Sequence, residues 1–188
     1  QGGEKGVAGV GVLVKEDWAD KIMEVRRVNE RILAVKLAKG KKLVNVVAAY
    51  APQVGRSAEE KDKFWWDMME LVASYGQGEE VVIGGDLNGH VGNTAEGYEE
   101  VHGGYGYGNR NEEGDRILEF CDALEMSIGN TWFRQEENKQ ITFESGGIKS
   151  MIDYLLMRKS EGIQLVGLEA LYVGMQHKMV LGDFIVES

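Results

Sequence analysis

The stretch Glu80-Val81-Val82-Ile83-Gly84-Gly85-Asp86-Leu87-Asn88-Gly89-His90-Val91-Gly92 constrains the fold more than any other. Its apolar run, Val81 to Ile83, reads as a buried strand that ends on two glycines, where the backbone comes close to a neighbour. The strand then delivers Asp86 and Asn88 into a loop. Leu87 between them is free to face inward, because side chains alternate along an extended chain. A carboxylate in that place can hold a metal or take a proton from water. An amide beside it can orient the carboxylate or donate to a phosphate oxygen. The same residues also suit a turn whose Asp and Asn bond only their own backbone.

The elements around this stretch are strand-rich. Strands are predicted over 7–14, 22–28, 31–37 and 43–50, with a hairpin turn at Lys39-Gly40-Lys41-Lys42 and a stop at Pro52. Ser57-Ala58-Glu59-Glu60 is a capping-box start for a helix carrying Phe64, Met68, Leu71 and Val72 at helical spacing and ending near Tyr75-Gly76. A long glycine- and tyrosine-rich segment, 89–111, is expected to be functional or mobile. A second helix is predicted over 112–126, with Ile117, Phe120, Cys121 and Leu124 on one face. Short strands are predicted over 126–130, 140–144 and 151–157, and extended chain over 163–173 and 179–186. Three or four strands precede the first helix, so the expected class is α+β, a layered α/β sandwich rather than a βαβ alternation. No repeat or linker appears, and residues 1–188 are expected to form a single domain.

Composition narrows the function. With 43% hydrophobic and 28% charged residues, the 188-residue chain reads as a soluble protein with a real core. One cysteine, Cys121, excludes an internal disulfide framework and a cysteine-built zinc site. It fits a reducing compartment, so an intracellular location, nuclear or cytoplasmic, is expected. No apolar run approaches the roughly 20 residues of a membrane span, and Gln1-Gly2-Gly3-Glu4-Lys5 is not a signal peptide. A net charge of −10 argues against non-specific coating of nucleic acid. It leaves room for a cleft with local cations or a divalent metal. Lys21 to Lys42 is rich in basic residues, whereas Glu59 to Glu80 and Glu96 to Glu125 are acidic.

Three further polar placements stand out. Asp153 lies inside the apolar run Ile152-Asp153-Tyr154-Leu155-Leu156, and a buried carboxylate needs a partner. His177 precedes the last apolar strand, where an Asp on a neighbouring strand can fix its tautomer, either for chemistry or as a structural bond. Tyr50 ends a strand with its hydroxyl at the rim. Gly104-Tyr105-Gly106-Tyr107-Gly108 lacks the spacing of a nucleotide fingerprint. Asp86-Leu87-Asn88-Gly89 lacks the remaining ligands of a calcium loop.

The order Tyr50-Ala51-Pro52, Gly85-Asp86-Leu87-Asn88, Ile152-Asp153-Tyr154, Gln176-His177 resembles the exonuclease–endonuclease–phosphatase (DNase I-like) superfamily. The nearer resemblance is to the apurinic-type endonuclease domain of RTE-like LINE retrotransposons, where it accompanies a reverse transcriptase, and to the related craniofacial development protein 2-like sequences. It is carried by Tyr50 to Gly55, Gly84 to Gly92, His102 to Gly108 and Ile141 to Gly147. The resemblance implies a two-sheet sandwich with flanking helices and magnesium-dependent hydrolysis of DNA phosphodiester bonds. By the same resemblance Asp86 orients or deprotonates the attacking water, and Asn88 positions Asp86 and a phosphate oxygen. His177, held by Asp153, binds the scissile phosphate, and Tyr50 donates toward the phosphate or leaving oxygen. Asn109, Arg110, Asn111 and Trp132 are DNA-contact candidates, with Phe133 beside them. Gln176 stands where many relatives carry an Asp, and is carried over as a weak metal ligand. The family's first strand carries a metal-binding Asn and a later strand ends in a metal-binding Glu. No early residue of this chain fits either, so the principal ligands are absent, the domain is expected to be partial at its N-terminus, and magnesium binding is expected to be poor. Open sheet edges would result, which a homodimer would cover. The resulting expectations are a retrotransposon-derived endonuclease domain or a catalytically inactive binding or assembly module on the same fold. A third is a phosphoesterase for small phosphorylated substrates or lipids, against which the RTE-like motifs count.

Overall fold

The computed structural model describes residues 9–160, 162–172 and 176–186. Strands β1 (Ile22–Asn29), β2 (Ile32–Lys39) and β3 (Lys42–Tyr50) form an antiparallel meander. Helix α1 (Ala58–Ala73) then crosses over, which lets β4 (Glu80–Asp86) lie parallel to β3. Helix α2 (Glu112–Ala123) leads to the short β5 (Met126–Ile128). A helical turn α3 (Glu137–Gln140) and a small hairpin, β6 (Phe143–Ser145) with β7 (Ile148–Ser150), precede β8 (Asp153–Arg158). The hairpin β9 (Ile163–Leu171) and β10 (Met179–Val186) ends the described chain. The main sheet has six strands in the order β1-β2-β3-β4-β8-β5.

Alternation along the strands divides the apolar residues between two faces. Ile32, Val47, Ile83 and Leu156 pack with Phe64, Met68, Leu71, Ile117 and Phe120 of the helices. Each such side chain contributes roughly 1.5–3 kcal/mol by leaving water. On the opposite face Val44, Val82, Leu155 and Met157 meet Ile163, Phe184 and Val186 of the β9–β10 hairpin. The result is the expected layered arrangement, and the β9–β10 layer has two strands among the described residues.

Ser57 caps α1, its side chain accepting from Glu60 N at 3.3 Å. Glu60 does not close a capping box. Its carboxylate instead pairs with Arg31 Nη2 at 2.8 Å. The buried Arg31 guanidinium lies 5.3 Å over the Tyr50 ring and donates to Tyr50 O, so the helix start and the end of β3 are fixed together. At the other end of α1, Arg158 of β8 donates to Val72 O, Gly76 O and Glu79 O.

The structure departs from the sequence reading at five places. Gly9 to Val14 forms no strand: among the described residues no strand pairs with it, and Leu13 is fully exposed. Val7 and Ala8 of that prediction lie outside the described residues, as does Val173 of the 163–173 prediction. Helix α2 stops at Ala123, not Met126, because Glu125 takes a φ of 53° and turns the chain into β5. After Ile128 the chain forms a 3₁₀ turn, Gly129–Thr131, and the 140–144 prediction divides into α3 and β6. A 3₁₀ helix, Glu16–Lys21, was not legible at all.

Gly85 is required by the β3–β4 pairing. Its φ is 153°, and a Cβ there would fall 1.8 Å from Ala49 O. Gly85→Ala is therefore expected to cost at least about 2 kcal/mol, measured by urea denaturation. An unchanged midpoint would mean that β3 and β4 do not approach so closely.

Candidate functional site

The register of three adjacent strands sets the site. Tyr50 of β3 lies opposite Asp86 of β4, and Asp86 lies opposite Asp153 of β8. Directly opposed residues share a face, so the three side chains emerge in one row at the end of the sheet, on the β9–β10 side. Backbone bonds lock the row just beyond the ladder: Ala51 N donates to Asp86 O at 2.9 Å, and Leu87 N to Ile152 O at 2.8 Å.

His177 arrives from outside this sheet. It forms a bridge with Phe143, flanked by Glu144 N donating to Gln176 O and Lys178 N donating to Thr142 O. The Phe143 ring lies 4.7 Å from the imidazole. Thr142 joins both halves of the site, its Oγ1 accepting from Ile152 N at 3.0 Å and Asp153 N at 3.1 Å. His177 Nδ1 stands 3.1 and 3.2 Å from the two Asp153 oxygens, and Nε2 stands 3.9 Å from Asp86 Oδ2. With Asp153 accepting at Nδ1, the proton belongs on Nδ1 and Nε2 is left toward Asp86.

Burial pushes Asp86 up to about 6. The Asp153 carboxylate adds to the rise, while the Asn88 N–H and His177 oppose it. Asp153 is also raised by burial, held partly down by Thr142 and His177. Asp86, Asp153 and His177 each offer a ligand atom, and these atoms lie within 4.8 Å of one another. Two carboxylates and an imidazole, with excess buried negative charge, suit a divalent cation.

The other sequence candidates separate into groups. Asn88 supports Asp86 through its backbone, N to Oδ1 at 2.9 Å, whereas its side-chain amide donates to Ala51 O at 2.9 Å. That geometry depends on φ of 50°, which Asn tolerates better than most residues. The Tyr50 hydroxyl accepts from Gln53 Nε2 at 3.5 Å. Gln176 is exposed and turned to Ser145, donating to its Oγ at 2.9 Å, outside the acidic cluster. Arg110 is committed to its own loop: it donates to Val91 O, Thr94 O and Glu96 O and stacks over Tyr98. Asn111 caps α2, its Oδ1 accepting from Gly114 N and His90 N at 2.9 Å each. The Arg110 guanidinium and the Asn111 side-chain oxygen, expected to face DNA, are thus engaged within the protein. Asn109 is exposed, and Trp132 is 46% exposed beside Phe133 in a cleft next to the start of β9.

The long 89–111 segment is tied down rather than loose. Buried His102 accepts from Gly104 N at Nδ1 and donates from Nε2 to Gly92 O, and burial lowers its pKa. The buried Tyr154 hydroxyl donates to Met151 O at 2.6 Å and accepts from Val91 N at 3.4 Å. Sequence reading missed Arg31, Thr142 and Phe143 as site supports. Thr142 and Phe143 did fall within the Ile141 to Gly147 motif.

The raised Asp86 has a measurable consequence. Between the ordinary carboxylate range and about 6 the folded protein keeps a proton that the unfolded chain has released. Stability therefore falls as pH rises through that window. Asp86→Asn keeps the acceptor for Asn88 N and removes the charge. In metal-free buffer it is expected to flatten the slope between pH 4 and 6 and to stabilise the fold at pH 7 by roughly 1–2 kcal/mol, read by urea denaturation. A loss of stability at pH 7 would make Asp86 a structural carboxylate.

No protein-family profile matches the chain. It is 28% identical over 153 residues to craniofacial development protein 2 of Bos taurus and 26% identical to that of Tragulus javanicus. Both alignments cover 80% of this chain and 26% of the relative, so the chain spans about a quarter of the relatives' length. Among solved structures it is similar to the endonuclease domain of TRAS1, a telomere-specific non-LTR retrotransposon. That match has a TM-score of 0.58 and 16% identity, over 85% of this chain and 64% of the other. A humanized D. rerio TDP2 gives a TM-score of 0.60 at 10% identity, over 88% of this chain and 68% of the other. An endonuclease/exonuclease/phosphatase family protein from Leptotrichia buccalis gives 0.55 at 10% identity, over 82% and 53%. The chain thus has the DNase I-like fold of the endonuclease/exonuclease/phosphatase superfamily, and its sequence is similar to that of craniofacial development protein 2.

Proposed function

We propose that the chain is an endonuclease-type domain of non-LTR retrotransposon origin that hydrolyses DNA phosphodiester bonds with a divalent cation. The observation that carries this reading is the meeting of Asp86, Asp153 and His177 at one end of the sheet. Asp86 orients or deprotonates the attacking water by resemblance; its carboxylate, pushed up to about 6 by burial in the metal-free protein, would be lowered again by a bound cation. His177 donates Nδ1–H to Asp153 and turns Nε2 toward the space beside Asp86. By resemblance it binds the scissile phosphate and helps offset charge that develops there in the transition state. Tyr50 shares the row and adds a hydroxyl at its edge. Asn88 acts by holding Asp86 through its backbone. Asp86 and Asp153 would hold the cation, magnesium by resemblance, only weakly without the Asn and Glu ligands that the resemblance implies; when bound it would polarise the phosphate and offset its charge. Trp132 and Asn109 remain the outward candidates for contact with the nucleic acid.

The test is nicking of supercoiled plasmid with magnesium by the wild-type chain, Asp86→Ala and His177→Ala. The expected outcome is nicking by the wild type that EDTA abolishes and that each variant lowers at least about 10²-fold. A folded wild-type chain that does not nick, yet binds duplex DNA, would instead favour the binding module on the same fold.

A homodimer belongs to the same reading. Val166, Met179, Leu181 and Ile185 of the β9–β10 hairpin are all more than 40% exposed, and a second copy would cover them. Sedimentation is expected to give about twice the 20.9 kDa chain mass. A single species at the chain mass would remove the dimer.

A further inference from the structure

The two long helices are the acidic part of the molecule. Together α1 and α2 carry ten of the chain's 31 acidic residues and three of its 21 basic ones. Between them lies a groove of about 460 Å³, lined chiefly by Asp62, Trp65, Met69, Arg116, Glu119 and Phe120. Its floor is apolar, with the Trp65 and Phe120 rings 5.2 Å apart. An ion pair of 2.6 Å between Arg116 and Asp62 bridges the helices. On α1, Trp66 is 70% exposed. Trp66 follows Asp62 by four residues and precedes Met69 by three, so it extends the same outward patch of α1. None of these aromatic side chains serves the Asp86 site, which lies on the other face of the sheet.

We propose that this groove docks a basic amphipathic helix of a protein partner. Large apolar side chains of the partner would seat on Trp65, Trp66, Met69 and Phe120, and its Lys and Arg residues would face Glu119 and the acidic flanks of α1 and α2. The sign of the charge decides the class of partner: Asp62 is paired with Arg116, Glu60 with Arg31, Asp67 with Lys63 and Glu113 with Lys61, but exposed Glu119 and the remaining acids of α1 and α2 leave a negative balance that repels nucleic acid and anionic membrane and attracts a cationic segment. The geometry decides its conformation. A groove between two helices offers no free strand edge, so an incoming segment gains affinity through side chains on one face, as a helix presents them. Exposed tryptophans beside a groove are the residue type that most often dominates such binding.

The test uses the whole chain and a fluorescein-labelled Leu/Lys peptide of about 18 residues that folds as an amphipathic helix. A peptide of the same composition, shuffled to remove the apolar face, is the control. Fluorescence anisotropy is expected to show at least tenfold tighter binding of the amphipathic peptide. Trp66→Ala and Glu119→Lys are each expected to weaken it at least tenfold, while Glu24→Lys, on exposed β1, leaves it unchanged. Equal weakening by Glu24→Lys would reduce the effect to net charge and overturn the proposal, as would full binding by Glu119→Lys. A wild-type dimer that Glu119→Lys converts to monomer would overturn it in favour of a second copy. Duplex DNA binding that Trp66→Ala abolishes would overturn it in favour of nucleic acid. Circular dichroism checks folding, and if Trp66→Ala does not fold, the exposed Glu119→Lys decides.

Discussion

Two carboxylates facing each other across neighbouring strands are the constraint to which the site answers. Asp86 and Asp153 occupy one register pair, half-buried; burial raises both, and the Asp153 carboxylate raises Asp86 further. The surrounding chain relieves this at three points. The Asn88 N–H reaches Asp86, the Thr142 hydroxyl and His177 reach Asp153, and His177 lies between the two. A purely structural strand end would not need two acids opposite each other. An arrangement that stays short of positive charge until something cationic approaches is a common sign of a working site.

Much of this was legible in the sequence because it depends on period and position. The Val81 to Ile83 run, the paired glycines, and the acid inside Ile152 to Leu156 all follow from alternation and from the cost of burying polar groups. Both long helices showed in apolar spacing, and α1 also in its Ser57 cap, although Glu60 left its box to pair with Arg31. What stayed hidden depends on contacts between distant segments. Thr142 looks like any strand threonine until its two backbone partners are known. Arg110 and Asn111 look like surface binders, because nothing local says that a loop will fold back onto their side chains. The Gly9 to Val14 run reads as a strand because a sequence pattern carries no information about whether a partner strand is present.

Charge is spread unevenly over the two faces of the main sheet. The helical layer is acidic and carries exposed and groove-lining aromatics, whereas the opposite face ends in the site of Asp86. A substrate held at the Asp86 site and a cationic protein segment on the helical layer would lie on different sides of the molecule. Both could then be engaged at once without competing for the same surface.

Strand β8 serves the site and the scaffold with consecutive residues. Asp153 turns to the site, and Tyr154, on the other face, anchors Met151 and Val91 in the core. Its far end, Arg158, holds the close of α1. A slip of one residue would send the tyrosine to the rim and the acid into the apolar layer. Misregistered chains would therefore fail as folded proteins before a miswired site could form. Correct assembly and a correctly set site are in this way one event, and no population of stable but miswired molecules should accumulate.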